Sequence, residues 1–116
     1  MWEIETTDTF DKWFDELEDS DRASVIASLL LLKEKGPQLA RPYADTVKGS
    51  VHGNMKELRV QSNGEPIRAF FAFDPLRRGI LLCAGCKTGD EKRFYKIMIP
   101  IADREFTAHL KTLETR

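Results

Sequence analysis

The sequence predicts an α+β fold: a twisted antiparallel sheet with an N-terminal helical hairpin packed on one face. Three observations predict it. Two helix-periodic stretches follow one another near the N-terminus, three strand signals follow in sequence, and one more helical pattern closes the chain. Helices and strands segregated in this way favour separate layers over alternating β-α units. The 116 residues are read as one domain, 1–116, close to the commonest domain size.

The elements follow in order. "WEIE" (2–5) alternates and predicts a short first strand. Phe10, Trp13, Phe14 and Leu17 fall at i, i+3, i+4 and i+7, one apolar helix stripe that Thr7 or Asp8 can cap. "DSD" (19–21) reads as the turn into a second helix ending near 35, with Val25, Ile26, Leu29, Leu30 and Leu32 expected inward. Gly36-Pro37 stops it, because glycine accepts the left-handed cap and proline cannot continue the helix. Residues 36–54 lack periodicity and read as a long loop of the kind that often carries function.

Three strands are then expected. "MKELRV" (55–60) places Met55, Glu57 and Arg59 on one side and Lys56, Leu58 and Val60 on the other. Asn63-Gly64 is a hairpin signal leading into "IRAFFAF" (67–73). "DPLRRG" (74–79) is the next turn and "ILLCAGCK" (80–87) the third strand. Pro100 suits the first turn of a last helix, with Ile101, Ala102, Phe106, His109, Leu110 and Leu113 near one face. The expected order is β-α-α-β-β-β-α, with the second sheet face left open.

Composition narrows the function. No apolar run is long enough to span a bilayer, so no membrane partner is expected. An acidic start that enters structure at once does not read as a signal peptide, and two cysteines are compatible with a reducing cytoplasm. The net charge of −1 hides an asymmetry. Residues 1–47 carry 11 acidic and 5 basic residues, a net of −6; residues 48–116 carry 8 and 13, a net of +5. A basic sheet half beside an acidic helical half points to a polyanion-facing surface.

Cys83 and Cys86 have C-x-x-C spacing. On an extended strand, positions three apart face opposite ways, so a shared metal or a disulfide would require the strand to break, for instance by a bulge at Gly85. A zinc site also needs about four ligands, and His52 and His109 have no paired spacing. The reading is one core cysteine and one half-exposed thiol, with no metal and no cofactor. Strict alternation puts Ile80, Leu82, Ala84 and Cys86 in one row and Leu81, Cys83, Gly85 and Lys87 in the other.

Lys56, Arg59, Arg68 and Lys87 are spread over the three adjacent strands, and Lys92, Arg93, Tyr95 and Lys96 follow the last. Such a set suits phosphate: guanidinium binds its oxygens in pairs, and lysine adds compact charge. Tyrosine can stack on an unpaired base. If RNA is cleaved, its 2′-oxygen can be the nucleophile. The protein then supplies a proton acceptor, a donor to the leaving oxygen and charge for the transition state.

"MKELRV", "NGEPIRAFFAFDP", "ILLCAGCKTG" and "IPIADREFTAHL", in that order, resemble the HigB-type toxins of the RelE/ParE superfamily of toxin–antitoxin modules. The resemblance covers nearly the whole chain. It implies a RelE-like fold and a metal-free endoribonuclease acting on mRNA in the ribosomal A site. It implies neutralisation by a helix-turn-helix, HigA-like antitoxin, with operator DNA bound only through the antitoxin complex. Carried over by motif, Arg59, Arg68, Lys87 and Tyr95 are the catalytic candidates, and Lys56, Lys92, Arg93 and Lys96 the substrate-binding ones. Where the family often has an aromatic and a second lysine around the strand-end lysine, this chain has Cys86 and Thr88. Two rival readings remain: a ParE-like toxin that inhibits DNA gyrase, and an inactive module kept for antitoxin or ribosome contact.

Overall fold

The computed structural model describes residues 1–114. The α+β class is as expected. One five-stranded sheet is formed by β1 (Ile4–Thr6), β2 (Ala44–Thr46), β3 (Lys56–Ser62), β4 (Glu65–Phe73) and β5 (Gly79–Cys86), in the order β1-β5-β4-β3-β2. Helices α1 (Asp8–Asp15) and α2 (Asp19–Lys35) cover one face; α3 (Glu91–Glu114) covers the other. "DSD" is the first turn of α2, not a linker.

The sheet is mixed, not wholly antiparallel. The β3-β4-β5 meander is antiparallel, but β1 pairs with β5 in parallel. The helical hairpin carries the chain from β1 at one edge of the sheet to β2 at the other, and the meander then brings β5 back beside β1. Strand β2 was hidden in the long loop. Three residues are too few to show a period, yet Ala44, Asp45 and Thr46 pair with Leu58, Glu57 and Lys56.

Thr7 begins α1 as its cap, accepting from the Phe10 N–H at 3.2 Å. Its own hydroxyl donates to the Leu82 carbonyl at 2.7 Å. That carbonyl is free because Leu82 is a bulge: Phe70 pairs with Cys83, and Phe71 pairs with Leu81. A bulge inserts one residue and reverses the alternation beyond it. Ile80, Leu82 and Cys83 therefore all pack toward α3, while Leu81 and Ala84 pack toward the hairpin. The two strict rows expected from the sequence are overturned here. The cysteines still diverge: Cys83 is buried under α3, and exposed Cys86 donates to Glu65.

Gly36 caps α2 at φ 61°, and Pro37 lies in the 3-10 turn that follows. A Cβ at Gly36 would stand 2.3 Å from the Trp2 indole, so glycine is needed both for the backbone and for the space. Val25 and Leu32 are fully buried, but Ile26 and Leu30 face outward, against expectation.

The last helix starts nine residues before Pro100, which lies inside it. An interior proline costs about 3 kcal/mol. Packing offsets that cost: Phe94, Tyr95, Met98 and Ile99, all N-terminal to the proline, join Phe70, Leu82, Cys83 and Phe106 in one apolar cluster. Full burial of a side chain of this size is worth roughly 1.5–3 kcal/mol, and these four, partly buried, together match the cost. The sheet face expected to stay open is thus covered along most of its length. Among the described residues, no helix is long and apolar enough to cross a membrane.

Candidate functional site

Strand register assembles the site. Arg59 pairs with Arg68, which pairs with Gly85; one step along, Glu57 pairs with Phe70 and Phe70 with Cys83. Directly paired residues share a face, and this is the α3 face. Beyond the Arg59–Arg68–Gly85 rung, Gln61 pairs with Pro66, whose carbonyl accepts from the Lys87 N–H at 2.7 Å. The N-terminal part of α3 crosses at this rung, and a Cβ on Gly85 would stand 3.1 Å from the Phe94 ring.

Two arginines on one rung repel. Their neighbour Glu57, 5% exposed, lies between them and α3. The Glu57 carboxylate lies 3.6 Å from the Nε of Arg59 and 4.0 Å from the Nε of Arg68. Both separations are too long for hydrogen bonds. Both Nε atoms are buried and have no hydrogen-bond partner. Arg68 is only 8% exposed, and one of its terminal nitrogens donates to the Ile67 carbonyl at 3.0 Å. Buried polar atoms are nearly always paired, so each exception calls for an explanation.

Tyr95 completes the group from α3. Its hydroxyl donates to Glu57 at 2.6 Å. Burial, then this hydrogen bond to a carboxylate, push the phenol up to about 12. Tyr95 is therefore a proton-bearing donor at neutral pH. Lys87 lies with its Nζ 5.9 Å from the centre of the Tyr95 ring and 3.1 Å from Glu91. Beside this cluster is an open cleft of ≈ 700 Å³, lined by Thr46, Val47, Lys48, Glu57, Gly89, Asp90, Glu91, Lys92 and Tyr95. Neither arginine lines it. A second groove of ≈ 780 Å³ runs along α3 past Lys92, Arg93 and Lys96.

The structure thus brings Arg59, Arg68, Lys87 and Tyr95 together and sets Lys92, Arg93 and Lys96 on the adjoining helix, where the sequence had suggested a loop. Lys56 is not brought to them. It belongs to the opposite row of β3, and its Nζ donates to the Pro37 carbonyl at 3.1 Å. Neither histidine joins the cluster. The ring of His52 bonds Thr107, and that of His109 bonds Asp74. Among the described residues, no group of three or more His, Cys, Asp or Glu is placed to hold a metal ion.

Sequence reasoning missed Glu57 as a site residue. The signal was present: Glu57 and Arg59 share a strand row, and an acid on the inward row of a central strand needs a buried partner. Lys48 was also missed, because its place in the cleft depends on β2.

Residues 12–107 match the family described as phage derived protein Gp49-like (DUF891). The chain is 48% identical over 94 residues to the Mycobacterium tuberculosis (strain ATCC 25618 / H37Rv) protein named "Putative toxin HigB3", covering 81% of each. It is 44% identical over 103 residues to "Putative toxin HigB2" of the same organism, covering 88% of this chain. The chain spans about half, 51%, of that second relative's length. On the breadth of these matches, the chain belongs to the Gp49-like family of HigB-type toxins in the RelE/ParE superfamily.

Proposed function

We propose that the chain is the toxin of a type II toxin–antitoxin module and an endoribonuclease that cleaves mRNA on the ribosome, so inhibiting translation. The observation that carries this reading is the Arg59–Arg68 rung, with two buried, unpartnered Nε donors beside Glu57. A phosphodiester supplies the missing acceptors.

The chemistry follows from the groups present. The 2′-oxygen attacks the adjacent phosphorus, forming a P–O2′ bond while the P–O5′ bond breaks. Glu57 takes the 2′-hydroxyl proton. Lys87 supplies a proton to the departing 5′-oxygen. Arg59 and Arg68 hold the phosphate oxygens as charge builds in the transition state. Tyr95 fixes Glu57 through its hydroxyl and offers its ring to a base. The products are a 2′,3′-cyclic phosphate and a 5′-hydroxyl. Lys92, Arg93 and Lys96 hold the flanking backbone electrostatically. The partners in this reading are translated mRNA and a cognate helix-turn-helix antitoxin, through whose complex the pair contacts operator DNA.

Primer extension on message after induced expression, with and without ribosomes, tests the reading. Cleavage confined to translated message is the expected result. Intact message together with loss of gyrase supercoiling would replace it with the gyrase-inhibitor alternative.

A further inference from the structure

The cleft beside the candidate site carries five charged side chains, three of them acidic. The carboxylates are engaged. Glu57 accepts from Tyr95 at 2.6 Å, Asp90 accepts from the Arg93 N–H at 3.1 Å, and Glu91 pairs with Lys87 at 3.1 Å. Lys48 and Lys92, both exposed, have no hydrogen bond or ion pair from their side chains among the described residues. The charge left for a ligand in this cleft is therefore positive and suits an anion.

Helix α3 sets Lys92. Lys48 instead lies in the loop 47–55 between β2 and β3. The base of that loop is closed by the Val47 N–H, which donates to the Met55 carbonyl at 2.9 Å. Its middle is fastened to α3 by one carboxylate. The Ser50 hydroxyl donates to Oδ1 of Asp103, and the Val51 N–H donates to Oδ2 at 3.2 Å. The His52 N–H donates to the Ser50 oxygen at 3.0 Å, and the His52 ring bonds the Thr107 hydroxyl at 2.9 Å. The chain turns at Gly49, φ 91°, between Lys48 and this clamp. Gly49 and Asp103 share a smaller cleft of ≈ 340 Å³ with Lys92 and Tyr95, which also line the larger one. Asp103 has no ion pair among the described residues; its partners are a hydroxyl and an amide.

A loop held before its ligand arrives lowers the ordering cost of binding. We propose that Asp103 is a positioning residue: by holding Ser50 and Val51 it keeps Lys48 at the cleft, where Lys48 grips a backbone phosphate of the RNA strand. The identity of the ligand rests on the endoribonuclease reading above. Charge alone predicts the opposite effect for Asp103. A carboxylate near a polyanion repels it, so its removal should tighten binding; removal of a clamp weakens it.

The test uses the full chain and two probes. A fluorescent single-stranded RNA oligonucleotide, with 2′-O-methyl groups that block attack, reads Kd; ribosomes carrying message read kcat and KM. Lys48→Ala and Asp103→Ala are each expected to raise Kd and KM about fivefold, to leave kcat within about twofold, and to lower the salt slope of log Kd by about 0.7. The double variant binds no worse than Lys48→Ala alone, because the clamp acts through the lysine. Asp103→Asn should bring Kd back to within about twofold of the parent, since its amide donates to the Ser50 oxygen and its carbonyl accepts from Val51. Ser50→Ala removes the other half of the clamp and serves if Asp103→Ala folds poorly. An unchanged or lower Kd in the alanine variants of the clamp overturns the proposal. So do additive losses in the double variant, or an Asp103→Asn variant that binds no better than Asp103→Ala. Translated message left intact by the parent would sink the endoribonuclease reading separately, because the blocked oligonucleotide scores the placement of Lys48 whether or not the chain cleaves.

Discussion

Two buried carboxylates are each gripped by arginine and by a side chain of α3, and they differ in how completely they are satisfied. Asp74 accepts from the backbone N–H groups of Leu76 and Arg78, from two nitrogens of the Arg78 guanidinium at 3.0 and 3.2 Å, and from His109 at 2.8 Å. Arg78 in turn reaches Glu5 at 2.8 Å. Glu57 has one good bond, from Tyr95, and two arginine nitrogens held at 3.6 and 4.0 Å with no partner. The same ingredients give a closed fastening in one place and an open one in the other. A saturated cluster ties β1, the β4-β5 turn and α3 together. In the proposed reading, the unsaturated cluster keeps its donors for a phosphodiester.

The largest expected effects test that division directly. Arg68→Ala should lower mRNA cleavage about 10²–10³-fold, the usual cost of removing one preorganised donor to a transition state. Growth inhibition should be relieved with little change in thermal midpoint. Asp74→Ala should do the reverse: about 3 kcal/mol of stability is lost because buried donors are left unpaired, while cleavage per folded molecule persists. Matched thermal melts and cleavage assays on the two variants decide it. Equal destabilisation would make both clusters structural and remove the distinction.

Acid sharpens the comparison. Burial opposes ionisation of Asp74, but the His109 contact and the bonds from Arg78 outweigh it and hold the carboxyl below its ordinary value of 3.8. The folded chain then binds this proton less tightly than the unfolded one. Its contribution to stability is complete above about pH 3.9 and is lost as pH falls through the lowered value. Asp74→Asn should therefore flatten the acid limb of the stability curve below about pH 4. Glu57→Gln should instead show its main effect in the rate of cleavage.

How much of this was legible beforehand depends on length and register. The hairpin at Asn63-Gly64, with φ of 51° and 80°, the cap at Thr7 and the stop at Gly36 rest on local chemistry, which the sequence carries directly. Arg59 and Arg68 are grouped in the sequence only as cations on adjacent strands and by the resemblance; that they share one rung is set by the hairpin register. The start of α3 did not follow from the sequence, because the proline rule was overridden by Phe94 and Met98 packing on the sheet. Nor did the face of Lys87 and Cys83 follow soundly. Strict alternation linked them correctly to each other but put them opposite Leu82, and only the bulge, held by the distant Thr7, joins them to that side. Ile26 and Leu30 were assigned inward because they are apolar, although helical spacing from Val25 and Leu32 turns them out.

The alkaline side separates the two clusters by a group only one of them has. Tyr95 is lifted from 10.0 to about 12 by burial and then by Glu57. A phenol with a raised folded value adds stability that is intact below about pH 10 and lost as pH rises through the folded value. The difference in phenolate absorbance between the parent chain and Tyr95→Phe should thus rise only near pH 12, and Glu57→Gln should move that rise back toward 10.0. If the rise stays at the ordinary value in the parent, the Tyr95–Glu57 bond does not hold in solution and the proton acceptor loses its anchor.

The smallest expected effect addresses position, not charge. A methyl at Gly85 would stand 3.1 Å from Phe94 and 3.6 Å from Met98, so the N-terminal turns of α3 must give by a few tenths of an ångström. Gly85→Ala should cost about 1 kcal/mol or less, since the ring edge and the thioether can yield. Tyr95 is next to Phe94 in the chain and must move with it, whereas His109 lies fourteen residues further along the same helix, beyond Pro100. The Glu57 cluster should loosen while the Asp74 cluster does not. The expected result is a severalfold fall in cleavage and a lower Tyr95 titration, with the acid limb governed by Asp74 unchanged. A uniform loss of both signals would mean that α3 moves as one rigid rod. The open and closed clusters would then be coupled ends of a single lever, and stabilising either would alter the other.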